Sequence, residues 1–80
     1  MSERESDFLN DVENAVSCWS YTSDSYHEDG GFIVEITIDD EEEWAEDESE
    51  IWDALSEVAD DWDACLDSDC STYYVSIEAD

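Results

Sequence analysis

The chain has 80 residues and carries 27 Asp and Glu against a single basic side chain, Arg4, for a formal net charge of −26 at pH 7. Too few cations are present to neutralise phosphates, which excludes binding to nucleic acid or to an anionic membrane surface. Plain disorder is disfavoured as well, because 41% of the residues are apolar and 12% are aromatic, whereas disordered acidic chains contain few aromatic residues.

The length allows one domain, which we expect to span residues 1–80. No apolar run approaches the ~18 residues of a membrane-spanning helix, and residues 1–8 lack the basic and apolar regions of a signal peptide. The three cysteines, Cys18, Cys65 and Cys70, cannot all pair within one chain. An odd count without a signal peptide is typical of reduced thiols, so we expect a cytoplasmic protein.

An amphipathic helix is the first predicted element. Apolar residues follow helical spacing from Phe8 to Val16. Two starts for this helix are open, because Ser6 could cap it, or Ser2 could cap it together with Glu5 three residues later.

Two strands joined by a turn follow the helix. Alternating aromatic and polar residues predict a strand over residues 18–26, and residues 32–38 form the clearest strand of the chain, with Phe32 and every second residue after it on one face. The segment between them supplies the turn, since Gly30 and Gly31 tolerate positive φ angles. His27 falls in this turn, where we expect a solvated side chain.

A long helix is predicted over residues 41–66, preceded by Asp39 and Asp40. Its apolar row alternates steps of four and three, and only Glu48 interrupts it. Residues 67–69 break the helix, and residues 72–78 form a last strand with alternate apolar side chains.

The predicted fold class is therefore α+β, in the order α-β-β-α-β. A three-stranded sheet with both helices packed on one face satisfies this order. A crossover through the long helix makes the last strand parallel to the second, and most simply places it beside the first.

Aromatic residues fall into two groups. One group lies on predicted core faces and comprises Trp19, Phe32, Trp44, Trp62 and Tyr73. Trp52 and Tyr74 lie off these faces, so each is either an exposed anchor for a partner or a half-buried flank of the core.

Negative charge is concentrated on the long helix and the segment after it. Residues 41–69 hold 14 carboxylates in 29 residues, so a fully helical segment at ~1.5 Å per residue would carry one charge every ~3 Å. One strand of B-DNA carries a phosphate every ~3.4 Å of axis. The two linear charge densities match.

Five of these carboxylates step by four and three residues and form one acidic row along the helix: Glu46, Glu50, Asp53, Glu57 and Asp60. Glu43 and Asp47 border the row, and Asp61 extends it; none of the eight has a Lys or Arg three or four residues away. Two carboxylates ~6 Å apart in water repel by about 0.7 kcal/mol before screening. A charge pattern this costly suggests selection for the charge itself, and we predict these eight residues as the partner-binding set. The acidic residues of the first helix, together with Glu28 and Asp29 in the turn, form a second predicted patch.

Three functions account for this charge. The chain could be a nucleic-acid mimic, a halophilic cytosolic protein whose acids keep it soluble in molar salt, or a generic acidic interaction module. In its size, charge excess, lack of Lys and acidic helix beside a small sheet, the chain resembles the acidic DNA-mimic inhibitors of phages and mobile elements, such as anti-CRISPR and anti-restriction proteins. The resemblance implies stoichiometric inhibition of a basic nucleic-acid-binding protein, such as a CRISPR effector or a restriction enzyme, in the cytoplasm of the host cell. A homodimer, which would lengthen the mimicked duplex, is left open.

No enzyme activity and no cofactor is predicted. With so many carboxylates, a pair at catalytic spacing arises by chance, and one histidine makes no nucleophile–base arrangement. Cys18, His27, Cys65 and Cys70 could in principle form a zinc set, but their spacing is too loose to predict one.

Overall fold

The computed structural model describes residues 2–79, which form six elements in the order α1, β1, β2, α2, β3, β4. The helices are α1 (Glu3–Ala15) and α2 (Glu41–Trp62), and the strands are β1 (Tyr21–Glu28), β2 (Gly31–Ile38), β3 (Cys65–Asp69) and β4 (Thr72–Glu78). The fold class is α+β, as predicted. Neither helix of this part of the chain is long and apolar enough to cross a membrane.

Side chains at both helix N-termini accept hydrogen bonds from the free backbone N–H groups there. Ser2 and Glu5 form the capping box at the start of α1: the Glu5 backbone N–H donates to Ser2 Oγ at 3.1 Å, and the Ser2 N–H donates to Glu5 Oε1 at 2.9 Å. Of the two predicted starts, the one at Ser2 is therefore confirmed. Asp40 caps α2 by accepting from the N–H groups of Glu42 and Glu43.

Helix α2 ends four residues earlier than predicted, at Trp62. Asp63 takes the left-handed conformation with φ 53°, and its N–H donates to the Asp60 carbonyl while the Ala64 N–H donates to the Ala59 carbonyl. This pair of bonds is the Schellman motif, which closes a helix and usually has glycine in the place of Asp63. The predicted end at residue 66 was wrong for two reasons. The helical spacing of apolar residues continues to Leu66, and no glycine marks the end of the helix in the sequence.

The sheet has four strands in the order β1-β2-β4-β3, all neighbours antiparallel. The predicted three-stranded sheet was wrong because residues 65 and 66 of β3 were predicted as helix and residues 67–69 as the break after it. Only Leu66 among its five residues is a large apolar side chain, and Asp and Ser are depleted in strands. The β3–β4 hairpin turns at Cys70, which has φ 53°.

The prediction that the last strand runs parallel to the second and lies beside the first was also wrong. The strand that follows α2 is β3, and it does run parallel to β2, since both are antiparallel to β4. The hairpin then folds β4 back between them, so that β4 pairs with β2 and β1 stays on the far edge.

The first hairpin turns at Asp29 and Gly30, which both have positive φ, of 51° and 78°. Strand β1 starts three residues later than predicted and continues to Glu28, so His27 lies in this strand and pairs with Phe32. The prediction of His27 as a turn residue was wrong.

Both helices pack on one face of the sheet, as predicted. Alternate residues of β2 and β4 are buried there, from Phe32 to Ile38 and from Tyr73 to Ile77. These strand residues form the hydrophobic core together with buried residues of the two helices and of the α1 C-cap. The residues outside the sheet are Phe8, Val12, Val16, Ile51, Leu55 and Ala59. The intervening residues of the strands point away from the helices and form an open sheet face.

Candidate protein-binding surface

The acidic row lies on the side of α2 that faces away from the core. All five of its residues are exposed, as is Asp61, because they are displaced around the helix from the buried Ile51, Leu55 and Ala59. Within residues 2–79, the six side chains accept no hydrogen bond and form no ion pair. Their charge is therefore not used to hold this fold together.

Helix α2 alone retains the charge density expected from the longer segment. It carries 11 carboxylates in 22 residues, or one every ~3 Å along an axis about 33 Å long. The remaining acids of the predicted segment lie elsewhere: Asp63 ends the helix, while Asp67 and Asp69 are on β3.

Glu43 and Asp47 differ from the row, because both bind the loop between α1 and β1. Glu43 Oε1 accepts from the Ser20 backbone N–H at 2.8 Å, and Asp47 Oδ2 accepts from the Trp19 indole N–H at 2.8 Å. Both side chains are half-buried. These two residues hold the loop against α2, a role that helical spacing gave no reason to expect.

A shallow groove between the two helices extends the acidic surface towards α1. Asp11 lines it from α1, and Glu57 and Asp61 line it from α2. Asp11 Oδ2 also accepts from the Trp62 indole N–H at 2.8 Å, which ties the two helices together. The predicted second patch thus includes a carboxylate that borders the row.

The lone arginine of the sequence hydrogen-bonds to the last strand of the sheet. The guanidinium of Arg4 donates to the Glu78 carbonyl oxygen at 2.7 Å. Arg4 lines a shallow cavity together with Asp29 of the first hairpin and Asp63 at the end of α2.

Glu5 is the one acid among residues 2–79 whose side chain is buried, with 3% of its surface exposed. Its Oε2 lies 2.8 Å from Nε2 of His27. The hydrogen bond from the Ser2 backbone and the contact with His27 lower the pKa of the Glu5 carboxyl to about 2, against a smaller opposing effect of burial. His27 is thus a partner of Glu5, and its side chain is 53% exposed, so the predicted exposure to solvent is confirmed although the contact with Glu5 was not expected.

The variant Glu5→Gln tests this pair through pH. Because the folded state holds the Glu5 pKa far below its ordinary value of 4.5, the stabilisation from the carboxylate is complete above about pH 4.5 and is lost as the pH falls towards 2. Urea midpoints should therefore differ most between wild type and variant near pH 5, and the difference should shrink towards pH 2. Glu3→Gln, an exposed neighbour on α1, is the control, and an equal pH trend in both variants would contradict the assignment.

The aromatic residues divide largely as predicted. Phe32 and Tyr73 are buried, and Trp19, Trp44 and Trp62 are half-buried against the core. Trp52 has 39% of its surface exposed, more than any other large apolar side chain of the described chain. It lies over a cleft between α2 and the β3–β4 hairpin.

Tyr74 lies on the open sheet face, where it pairs with Glu35 of β2 and Asp67 of β3. Asp24 lies directly opposite Glu35 on the other side. The open sheet face therefore carries negative charge as well as α2. Like charges that face each other across strands are destabilising, so these acids also cost the fold stability.

The cysteines are all exposed and unpaired, and Cys65 lies on β3, although the long helix was predicted to extend over it to residue 66. Among residues 2–79, no three His, Cys, Asp or Glu side chains are arranged to hold a metal ion. The loosely spaced zinc set therefore gains no geometric support.

The family and sequence comparisons do not assign the chain to a group. No model of a known protein family matches it, and no curated protein is similar enough in sequence to count as a relative.

Proposed function

We propose that the protein is a nucleic-acid mimic, which inhibits a DNA- or RNA-binding protein by occupying its basic groove, in the manner of the anti-CRISPR and anti-restriction proteins that it resembles. One observation carries the proposal: the acidic row is exposed, continuous and unpaired along α2. An ordinary solvated helix would alternate acidic and basic side chains, because like charges four residues apart cost a few tenths of a kcal/mol each.

The geometry of the row suits a groove built for phosphates. Neighbouring positions three and four residues apart have Cβ atoms ~5–6 Å from each other, and the distance from Glu46 to Asp60 is ~21 Å along the helix axis. Asp11 and Asp61 widen the row at the groove between the helices. The result is a charged ridge on a rigid helix, instead of a flexible acidic tail.

The mechanism is competition. Lysine and arginine side chains of the partner would pair with the row, and the counterions held by both surfaces would be released, as they are when a protein binds DNA. The natural nucleic acid would then be excluded from the groove at a ratio of one inhibitor per site. Because counterion release drives such binding, affinity should fall steeply with salt.

The triple change of Glu50, Asp53 and Glu57 to Lys tests the proposal. Inhibition of DNA binding is measured for a CRISPR effector, a restriction enzyme and a histone-like protein. Against the partner that the wild type inhibits, the triple variant should lose at least ~100-fold in affinity, since it places three cations in a basic groove. The fold should be at least as stable, because repulsion along α2 is reduced.

A matched control changes three acids on the open sheet face, Asp24, Glu35 and Asp67, to Lys. This variant has the same net charge as the row variant but leaves α2 unaltered. It should retain most of the inhibition. If the two variants lose affinity equally, net charge and not the acidic row governs binding, and the eight-residue partner-binding set is wrong.

A halophilic cytosolic protein is the second candidate, and the open sheet face favours it. Six acids lie on that face, well away from α2: Asp24, Glu28, Glu35, Asp67, Asp69 and Glu78. A mimic needs charge only where the partner binds, whereas solubility in molar salt is served by acids on every surface. The dependence of folding on salt separates the two candidates.

A further inference from the structure

Trp52 is the exception among the four tryptophans of the chain. The indole N–H groups of the other three donate to side chains: Trp19 to Asp47, Trp44 to the Tyr73 hydroxyl and Trp62 to Asp11. No acceptor for the Trp52 N–H lies among residues 2–79. It is also the most exposed large apolar side chain of that part of the chain. Its ring is therefore available to another molecule.

The cleft beside Trp52 has aromatic and acidic walls. It encloses about 270 Å³ between α2 and the β3–β4 hairpin, and Glu48, Asp53, Ser68 and Tyr73 line it together with Trp52. The rings of Trp52 and Tyr73 are inclined at 50° with their centres 6.4 Å apart. Pockets that bury drug-sized ligands measure ~300–1,000 Å³, so this cleft falls just below that range and suits a single side chain.

The chemistry of the walls selects a cation. Neither Glu48 nor Asp53 accepts a hydrogen bond or forms an ion pair among the described residues. The Tyr73 hydroxyl adds no charge to the walls, since burial raises its pKa above the ordinary value, against a smaller opposing effect of the hydrogen bond from Trp44. An aromatic face attracts a positive charge placed over it. Anions are repelled, and a neutral apolar group would leave both carboxylates without a partner.

We propose that this cleft binds the guanidinium group of one arginine side chain presented by the partner protein. A guanidinium is planar, stacks on an indole ring and donates in pairs to carboxylates, which a compact ammonium group cannot do. Glu48 and Asp53 would accept its hydrogen bonds while the indole covers its face. The Trp52 indole N–H, which has no acceptor among the described residues, would donate to a carbonyl oxygen of the partner backbone.

The inference deepens the proposed function and rests on it for the identity of the partner. Asp53 belongs both to the acidic row and to the cleft, so a basic groove lying along the row places its side chains at the mouth of the cleft. The row would then accelerate association by steering, whereas the arginine in the cleft would slow dissociation, as buried aromatic and arginine anchors do.

The test needs no natural partner. Two tripeptides with blocked ends, Gly-Arg-Gly and Gly-Lys-Gly, are titrated into ¹⁵N-labelled protein while the four indole N–H signals are followed by NMR. We expect the arginine peptide to shift the Trp52 signal saturably, with a dissociation constant on the order of 10–100 mM, and to leave the other three nearly unmoved. Trp52→Phe, in which one signal disappears, assigns it, and the three remaining signals report an intact fold.

Matched variants separate the cleft from general attraction to an acidic protein. Glu48→Gln alters the cleft but not the acidic row and should weaken binding of the arginine peptide about three- to tenfold. Glu46→Gln removes the same charge from the row outside the cleft and should change binding less than twofold. The peptides differ in the cation but not in net charge.

Three results would overturn the inference. They are an equal affinity for the lysine peptide, equal losses in Glu48→Gln and Glu46→Gln, and shifts that spread over all four indoles without saturating. None of these depends on whether the acidic row inhibits a nucleic-acid-binding protein. Conversely, a row that inhibits nothing leaves the titration unaffected, so the two proposals fail separately.

Discussion

Replacing Phe8 with alanine is expected to lower the free energy of unfolding by about 3–5 kcal/mol, the usual cost of removing a buried aromatic ring. The Phe8 side chain is fully buried. Its ring centre lies 6.3 Å from that of Phe32 and 5.4 Å from that of Trp62, both in edge-to-face geometry. Phe8 therefore joins α1 to the sheet and to α2 at one point.

This loss equals the whole stability that a core of this size supplies. Small single domains rarely exceed ~3–5 kcal/mol net, and this one also bears the repulsion of its acids. Circular dichroism at 25 °C should show Phe8→Ala largely unfolded in dilute buffer. The control is Leu9→Ala, next along α1, since Leu9 is only half-buried and should cost less. A folded Phe8→Ala with an unchanged urea midpoint would contradict this account of the core.

Periodicity predicted the elements whose apolar face is complete. Helix α1, strand β2 and strand β4 each bury residues at the spacing of a helix or a strand. Strand β3 lacks that signal because it lies at the sheet edge and buries no residue. Its position is decided by the hairpin with β4, a contact that local sequence does not encode. The crossover through α2 was therefore predicted with the right direction, since the strand that follows α2 runs parallel to β2. That strand is β3 and not the last strand of the chain.

The acidic row was predictable for the same reason, since helical spacing fixes which side chains share a face. What the spacing could not show is which acids the fold uses for itself. Asp11 and Asp47 accept from indole N–H groups, and Glu5 pairs with His27. Each partner is ten or more residues away along the chain, so only the tertiary structure brings them together.

The cleft was beyond sequence reasoning for a related reason. Trp52 was singled out because it lies off the apolar face of α2, which left two options, an exposed anchor or a half-buried flank. Its neighbours in the cleft include Ser68 and Tyr73, which reach it only because β3 and β4 form a hairpin under α2. Because β3 was not predicted, the cleft between α2 and the β3–β4 hairpin could not be predicted either.

Thermal stability is expected to rise steeply with salt from a fold that is already intact near 0.1 M KCl. The Debye length falls from ~10 Å at 0.1 M to ~3 Å at 1 M, so repulsion between carboxylates ~6 Å apart falls from ~0.4 to ~0.1 kcal/mol per pair. Summed over the close pairs among 27 acids, and allowing for repulsion that persists in the unfolded chain, the gain is on the order of 3 kcal/mol. Such a gain raises the Tm of a domain this small by at least ~10 °C.

Melts followed by circular dichroism from about 20 mM to 3 M KCl measure this rise and also decide between the two candidate functions. A protein that binds basic grooves must be folded where those interactions are strong, which is at low and moderate salt. A halophilic protein need only be folded in molar salt. If the chain folds only above ~1 M KCl, the acidic row is present only at salt concentrations that screen its charges from a basic groove. That result would contradict the proposal of a nucleic-acid mimic.

The row variant separates the cost of the acidic row from that of the other acids. Changing Glu50, Asp53 and Glu57 to Lys replaces repulsion by attraction to the remaining acids of α2, so its Tm at low salt should lie above that of the wild type and should rise less with KCl. In the sheet-face variant, with Asp24, Glu35 and Asp67 changed to Lys, two lysines replace the facing acids Asp24 and Glu35, so like charges still face each other there. If only the row variant is stabilised and it alone loses inhibition, the same carboxylates that weaken the fold are those that bind the partner. Such a trade of stability for binding is expected of a functional surface, whereas equal stabilisation of both variants with no effect on binding would mark the acids as a solvation layer.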